Sequence, residues 1–170
     1  MIDHIIFDVD GTLTDGGIII SSDGVETKRF HVRDGQIIGV LPSLEYTTVF
    51  LTGRKSELTQ LRAKELKISC VLQGISDKAE TLGNYMKQNS LCGNRIAYIG
   101  DDINDYAAMQ LCGFSACPAD APDFIRNYCD YVSMEKGGYG AARDICEHLL
   151  RMQNQYEQFV KLFVAGEGLN

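Results

Sequence analysis

The segment Ile5-Ile6-Phe7-Asp8-Val9-Asp10-Gly11, close to the first residue, decides the expected fold. An apolar run ends in two carboxylates that are separated by one residue, and a glycine turn follows. Side chains alternate between the two faces of a strand, so Asp8 and Asp10 would share one side if the strand geometry continued. Ligands of open α/β sheets bind just outside the carboxyl ends of the strands. The segment therefore predicts a site for Mg²⁺ and a phosphoryl group, with an ordinary acidic turn as the alternative.

The composition is that of a single globular domain covering residues 1–170. A net charge of −7 argues against nucleic acid as the main partner, because phosphate backbones require a broad basic surface. No apolar run approaches the roughly 20 residues of a membrane span, which predicts that the chain has no membrane partner. The first residues carry no signal-peptide pattern, and the six cysteines include no Cys-x-x-Cys pair. Both observations favour a cytoplasmic protein with free thiols.

Short apolar runs alternate with segments of helical periodicity along the chain. We expect strands at 5–7, 47–51, 69–72, 96–99, 113–116 and 129–132, and helices at about 34–42, 55–66, 77–88 and 103–110. Apolar runs of this length, bounded by Gly, Asp or Thr, are typical of buried parallel strands. The alternation predicts an α/β fold in three layers, built around a Rossmann-like parallel sheet.

Two segments depart from this alternation. Residues 17–31 predict a β-hairpin inserted after the first strand, with its turn at Asp23-Gly24. The hairpin would stand beside the carboxylates as a flap, an oligomer contact or a plain surface ribbon. Within a C-terminal helix and tail at about 140–170, apolar residues are spaced 4-3-4-3-4, at Ile145, Leu149, Met152, Tyr156, Phe159 and Phe163. This spacing predicts one helical stripe for core and subunit packing, long enough to extend beyond a small domain.

Four polar elements follow successive strands, and a phosphomonoesterase with an aspartyl nucleophile needs one part from each. They are Asp8-x-Asp10, Thr52-Gly53-Arg54, Lys78 and Gly100-Asp101-Asp102. Asp8 would attack phosphorus and form an aspartyl phosphate. Asp10 would protonate the leaving sugar oxygen and later take a proton from the attacking water. Thr52 and the backbone N–H groups after it would hold the phosphoryl oxygens.

The two remaining parts would manage charge. Lys78 would neutralise charge on the nucleophile and the phosphoryl group, although a solvated lysine in the first turn of a helix is the simpler reading of that residue alone. Asp101 would complete the coordination of Mg²⁺, a hard cation that prefers oxygen ligands. The carboxylates of Gly-Asp-Asp-x-x-Asp at 100–105 would repel one another unless a cation is present.

This ordered set resembles the haloacid dehalogenase superfamily of phosphotransferases, over nearly the whole chain. The resemblance implies that Asp8, Asp10 and Asp101 hold Mg²⁺, with Asp10 contributing its backbone carbonyl. It also implies that Asp102 and Asp105 support the site rather than react. No insertion is large enough for a cap domain, so the chain resembles the capless members of the superfamily.

Among capless members, the length and the hairpin resemble the 3-deoxy-D-manno-octulosonate 8-phosphate phosphatases. The segment Phe30-His31-Val32-Arg33-Asp34-Gly35 is similar to the substrate segment of that family, with His31 where Asn is common. The resemblance implies hydrolysis of a small phosphorylated sugar acid in lipopolysaccharide precursor synthesis. It further implies a homotetramer formed through the hairpins, with the tail at 166–170 near a neighbouring active site. The implied substrate-binding residues are Asp10, His31, Val32, Arg33, Asp34, Gly35, Gly39, Gly53, Arg54, Arg62 and Lys78.

The arginines bear on the substrate. Arg33, Arg54 and Arg62 exceed what one phosphate needs, and a guanidinium pairs well with a carboxylate, which favours a sugar acid. Each of them alone is equally typical of a solvated surface. Arg54 favours an eight-carbon acid, because the related nine-carbon phosphatases often carry Glu at that place.

Three alternative functions remain at this point. A phosphatase of a nine-carbon ulosonic acid 9-phosphate would use the same chemistry. A receiver-like phosphoacceptor module would use a similar set of residues, but it should keep its phosphoaspartate, whereas Asp10 is placed to drive hydrolysis. A non-catalytic oligomerisation module would need none of the intact set Asp8, Asp10, Lys78 and Asp101.

Overall fold

A computed structural model of the chain describes residues 1–164. In chain order the strands are β1 (His4–Phe7), β2 (Ile19–Ile20), β3 (Glu26–Thr27), β4 (Thr47–Thr52), β5 (Cys70–Gln73), β6 (Ile96–Ile99), β7 (Phe114–Cys117) and β8 (Tyr131–Val132). The helices are α1 (Val32–Val40), α2 (Glu57–Glu65), α3 (Lys78–Gln88), α4 (Ile103–Met109), α5 (Asp123–Tyr128), α6 (Ala141–Met152) and α7 (Tyr156–Val164). Short 3₁₀ turns cover Leu41–Leu44 and Gly93–Arg95.

Six strands form one parallel sheet in the order β5-β4-β1-β6-β7-β8. Helices cover both faces of this sheet, and the alternation of side chains along each strand supplies both cores. In β1, Ile5 and Phe7 pack in one core with α1, α2, α6 and α7, whereas Ile6 packs in the other with α3, α4 and α5. Burial on both faces explains the continuous apolar runs and confirms the expected three-layer α/β fold.

The inserted hairpin is the pair β2–β3, which forms a separate antiparallel ribbon. Its turn is closed by backbone hydrogen bonds from Ser21 to the carbonyl of Val25 (3.0 Å) and from Gly24 to the carbonyl of Ser21 (2.9 Å). Within residues 1–164 this ribbon is the element inserted between β1 and α1, where no cap domain is present. None of the helices in this range is long and apolar enough to cross a membrane.

The C-terminal stripe is two helices, so the expectation of one uninterrupted helix is wrong. Asn154 has a left-handed φ of 60°, and the backbone N–H of Gln155 donates to the carbonyl of Leu150 over 2.8 Å. This turn sends α7 back toward the domain, where Phe159 is 1% exposed in the core. The apolar periodicity survives because the turn keeps Phe159 on the buried side. The tail at 166–170 lies outside the described residues. Helix α5 has no counterpart among the expected helices.

The central strand β1 places the conspicuous acids. Phe7 pairs with Phe50 of β4 on one side and with Ile99 of β6 on the other, so Asp8 emerges between the ends of those two strands. Gly11 follows with a φ of +94°, and a Cβ there would lie 2.0 Å from an Oδ2 atom of Asp101. The turn after β1 therefore needs glycine for its backbone conformation and for its close approach to the next acidic loop.

Candidate active site

Asp8 lies at the centre of the acidic cluster, 4% exposed, at the end of β1. Its backbone N–H donates to the carbonyl of Ile99 over 2.8 Å, which fixes it against β6. Burial, followed by the nearby charge of Asp105, raises the pKa of Asp8 to about 6, although Lys78 acts in the opposite direction. A buried carboxylate facing a single ammonium group has the environment expected of a nucleophile.

Lys78 is the first residue of α3, and its side chain turns inward to the acids. Its Nζ lies 2.9 Å from Oδ1 of Asp8 and 2.6 Å from Oδ1 of Asp105. Burial lowers the pKa of Lys78, but the two carboxylates outweigh it and the pKa is raised overall. The reading of Lys78 as a solvated first-turn lysine is therefore wrong. Asp77 caps α3 by accepting a hydrogen bond from the backbone of Glu80, which holds Lys78 at this place.

Asp105 is completely buried and organises the loop after β6. One of its oxygens accepts hydrogen bonds from Lys78 (2.6 Å) and from the hydroxyl of Tyr98 (2.7 Å). The other accepts from the backbone N–H groups of Asp101 (3.1 Å) and Asp102 (3.3 Å). Asp102 and Asp105 together form the capping box of α4. Asp105 thus links Lys78 to the acidic loop, in keeping with the support role that the family resemblance implies.

The donor set fits a divalent cation. Carboxylate oxygens of Asp8, Asp101 and Asp105 all lie within 4.8 Å of one another. Burial, with the neighbouring charge of Asp8 next in importance, raises the pKa of Asp101 to about 8. Since the lone pairs of Asp105 are already engaged, Asp8 and Asp101 are the side chains that suit a hard cation. The backbone carbonyl of Asp10 as a third ligand stays a prediction.

Asp10 has a partner that the sequence did not suggest. Nζ of Lys28, from the hairpin, forms an ion pair with Oδ1 of Asp10, and the Lys28 side chain is 3% exposed. Oδ2 of Asp10 is buried and has no hydrogen-bond partner among the described residues. The sequence did not predict this ion pair, because Lys28 lies 18 residues after Asp10 in a segment whose pattern is also typical of a surface ribbon.

Thr52 is the last residue of β4, the neighbour of β1, and Arg54 follows it by two residues. Thr52 is 1% exposed, and its carbonyl accepts a hydrogen bond from the backbone of Ile75 over 3.2 Å. Arg54 pairs with the hairpin instead of standing alone, since its Nη2 lies 2.8 Å from Oε1 of Glu26. The other oxygen of Glu26 accepts from the hydroxyl of Ser56 over 3.1 Å. The loop that carries Gly53 is therefore tied to the hairpin by a carboxylate.

Arg62 lies in the wall of a small cavity of about 10 Å³ with His31, Asp34 and Gly35. A Cβ on Gly35 would lie 2.0 Å from Nη2 of Arg62, so glycine makes room for the guanidinium. Arg62 also pairs with Glu65 over 2.8 Å. Three buried polar atoms here have no hydrogen-bond partner among the described residues: Nδ1 of His31, Oδ2 of Asp34 and Nε of Arg62. The three residues that carry these atoms line the cavity.

The remaining residues expected to bind substrate lie along α1. Val32 is 68% exposed, and Arg33 borders a separate groove of about 160 Å³ next to Tyr139 and Arg143. A methyl group on Gly39 would meet no atom within 4 Å outside its own helix. Asp34 accepts a hydrogen bond from the backbone of Arg143 over 2.8 Å and so joins α1 to α6. The structure thus brings Asp8, Asp101 and Lys78 together. The three arginines lie apart: Arg54 contacts the hairpin, Arg62 lines the small cavity and Arg33 borders the separate groove.

Comparison with known proteins points to one family. The sequence model of the family of haloacid dehalogenase-like hydrolases matches residues 70–143. The 3-deoxy-D-manno-octulosonate 8-phosphate phosphatase of Haemophilus influenzae is 37% identical over 158 residues, which are 93% of this chain and 88% of the relative.

Solved structures agree with this result. The Moraxella catarrhalis 3-deoxy-D-manno-octulosonate 8-phosphate phosphatase, in complex with magnesium, phosphate and the sugar acid KDO, is 38% identical with a TM-score of 0.92, and the match covers 95% of this chain and 93% of that one. The cobalt-bound Haemophilus influenzae enzyme is 35% identical with a TM-score of 0.88, over 98% and 95% of the two chains.

The clustered acids predict a pH dependence of stability. The folded-state pKa values of Asp8 (about 6) and Asp101 (about 8) exceed the ordinary value of 3.8. Between about pH 4 and about pH 8, the metal-free folded protein therefore binds more protons than the unfolded chain. Its free energy of unfolding should therefore fall as the pH rises from about 4 to about 8. A divalent cation should offset this loss, and the metal-induced rise in Tm should be larger at about pH 8 than at about pH 5.

Asp101→Asn separates repulsion from metal binding. At about pH 8 it should raise the Tm of the metal-free protein and abolish most of the rise with Mg²⁺, as measured by differential scanning fluorimetry. Asp123→Asn, at a carboxyl whose side chain is 82% exposed, is the matched control and should change neither quantity. A full metal-dependent rise in Asp101→Asn would remove Asp101 from the cation site.

Proposed function

The chain belongs to the family of 3-deoxy-D-manno-octulosonate 8-phosphate phosphatases, and from this premise we propose that it hydrolyses the 8-phosphate ester of that eight-carbon sugar acid. The observation that carries the proposal is the agreement of two independent results. The match extends over nine tenths of the chain. Asp8 and Asp101, which follow the central strands β1 and β6, lie together with Lys78 from the start of α3. The product would be a free sugar acid for lipopolysaccharide precursor synthesis.

The first half of the reaction transfers the phosphoryl group to the protein. A carboxylate oxygen of Asp8 attacks phosphorus, the bond between phosphorus and the sugar oxygen breaks, and Asp10 gives its proton to the departing oxygen. Lys78 is supported in a charge-neutralising role by its contacts of 2.9 Å to Asp8 and 2.6 Å to Asp105. Thr52 and the backbone after it would hold the phosphoryl oxygens.

The second half releases phosphate. Water attacks phosphorus of the aspartyl phosphate, the bond to Asp8 breaks, and Asp10 takes the proton from that water, so its protonation state is restored. We propose Mg²⁺ as the resident ion, held by Asp8, Asp101 and the backbone carbonyl of Asp10. When bound, such an ion offsets the negative charge of the phosphoryl group.

Three further features belong to the same proposal. Ile18, Ile19 and Ile20 of the hairpin are 55–62% exposed in the single chain, which supports a homotetramer formed through the hairpins. The six cysteines are free, which supports a cytoplasmic location. Arg54, with its side chain 43% exposed at the edge of the site, is a suitable partner for the substrate carboxylate once it exchanges Glu26 for that group.

The substrate is tested by comparing kcat/KM for phosphate release from 3-deoxy-D-manno-octulosonate 8-phosphate and from a nine-carbon ulosonic acid 9-phosphate, both with Mg²⁺. We expect a preference of roughly a hundredfold for the eight-carbon ester, or about 2.7 kcal/mol of transition-state binding. The opposite preference would assign the chain to the nine-carbon acids. The absence of phosphate release from both esters would reject a sugar-acid phosphatase.

Arg54→Met should raise KM for the octulosonate ester roughly tenfold and leave KM for an aryl phosphate nearly unchanged, because only the first substrate has a carboxylate. Steady-state kinetics on both substrates measure this difference. Arg126→Met is the matched control, since Arg126 is also 43% exposed and also paired with a carboxylate. Equal effects of Arg54→Met on the two substrates would remove Arg54 from sugar-acid recognition.

A further inference from the structure

The hairpin delivers a buried ammonium group to the acid–base residue. Lys28 directly follows β3, yet its side chain is 3% exposed and its Nζ forms an ion pair with Oδ1 of Asp10. A lysine on a surface ribbon normally keeps its charge in water. Burying the charge costs free energy unless a partner compensates for it. The ion pair with Asp10 is therefore the feature that accounts for the inward course of Lys28.

The two oxygens of Asp10 have different surroundings. Oδ1 is held by Lys28, whereas Oδ2 is buried and has no hydrogen-bond partner among residues 1–164. Contact with one oxygen restricts the rotation of the carboxyl group and so fixes the place of the other. We propose that Lys28 is a positioning residue, which holds Oδ1 of Asp10 so that Oδ2 exchanges the proton with the leaving group and with water. This inference rests on the acid–base role proposed for Asp10.

Contacts on both sides of Lys28 hold the hairpin in the position that this role requires. Glu26 lies two residues earlier, on the same face of the strand, and contacts Arg54 (2.8 Å). On the other side, Nη2 of Arg29 lies 2.7 Å from Oδ2 of Asp15, in the turn after β1. The hairpin is thus tied to the loop after β4 and to the turn after β1, with Lys28 between these ties.

The nature of the leaving group distinguishes a positioning role from a general structural one. An alkoxide requires a proton as it departs, so its release depends on a correctly placed Asp10. A nitrophenolate is stable without that proton. Loss of Lys28 should therefore slow the cleavage of an alkyl ester selectively, whereas a disturbed fold or a weakened phosphate site would slow both reactions.

The test measures kcat/KM for 4-nitrobenzyl phosphate and 4-nitrophenyl phosphate, which share a ring and differ in the leaving group. For each ester, kcat/KM depends on the steps up to the departure of the leaving group. Lys28→Met should lower kcat/KM for the benzyl ester about tenfold more than for the phenyl ester, because a misplaced acid loses only part of the roughly 10²–10⁴-fold contribution of general acid–base catalysis. Lys28→Arg should recover most of that loss. Arg126→Met, at a 43% exposed arginine of α5 that is paired with Asp123, is the control and should leave kcat/KM for both esters unchanged.

Asp10→Asn separates failure of this inference from failure of the proposed reaction. It should show the same selective loss, and a larger one. If Asp10→Asn is selective and Lys28→Met lowers both esters equally, the positioning role of Lys28 is overturned. Equal losses in Asp10→Asn would instead reject Asp10 as the general acid, and the inference about Lys28 with it. If Lys28→Met does not fold, judged by circular dichroism, Lys28→Gln is compared in the same way.

Discussion

The buried contact of Lys78 with Asp8 and Asp105 is the interaction on which the rest of the site depends. One ammonium group joins the end of β1, the start of α3 and the first turn of α4, with contacts of 2.9 and 2.6 Å. Removing this ammonium group would leave two buried carboxylates without a compensating charge, at a cost of about 3–5 kcal/mol. The hydroxyl of Tyr98 and two backbone N–H groups complete the shell of Asp105, so the acidic loop is ordered before any ligand arrives. The same contacts therefore stabilise the packing of β1, α3 and α4 and place the side chains of the site.

The cluster as a whole places acids close together against their mutual repulsion. The raised pKa values of Asp8 and Asp101 express that repulsion together with the cost of burial. A single chain offsets part of it with Lys78, and a cation with a phosphorylated ligand would offset more. The hairpin adds a second compensating charge, since Lys28 forms an ion pair with Asp10. What reads in the sequence as an appendage is thus part of the electrostatic balance of the centre.

The sequence predicted those features that depend on local pattern. The main strands were located because each is buried on both faces and therefore continuously apolar, and the acids after β1 and β6 follow from the end points of those strands. The break at Asn154 was missed, because the apolar spacing of α6 continues in phase through the turn into α7. The partners of Lys28 and Arg54 were missed for another reason. They come from segments distant along the chain, and periodicity carries no information about which charge meets which.

The central claim is that Asp8 becomes covalently phosphorylated, and chemical trapping tests it most directly. Enzyme mixed with the sugar-acid 8-phosphate would be quenched in acid during the first turnover, digested and mapped by mass spectrometry. The account predicts a phosphoryl group on the peptide containing Asp8, stable in acid and released by hydroxylamine, and absent in Asp8→Asn, which should also lack turnover. Turnover retained in Asp8→Asn, or a phosphoryl group found on another residue, would contradict it.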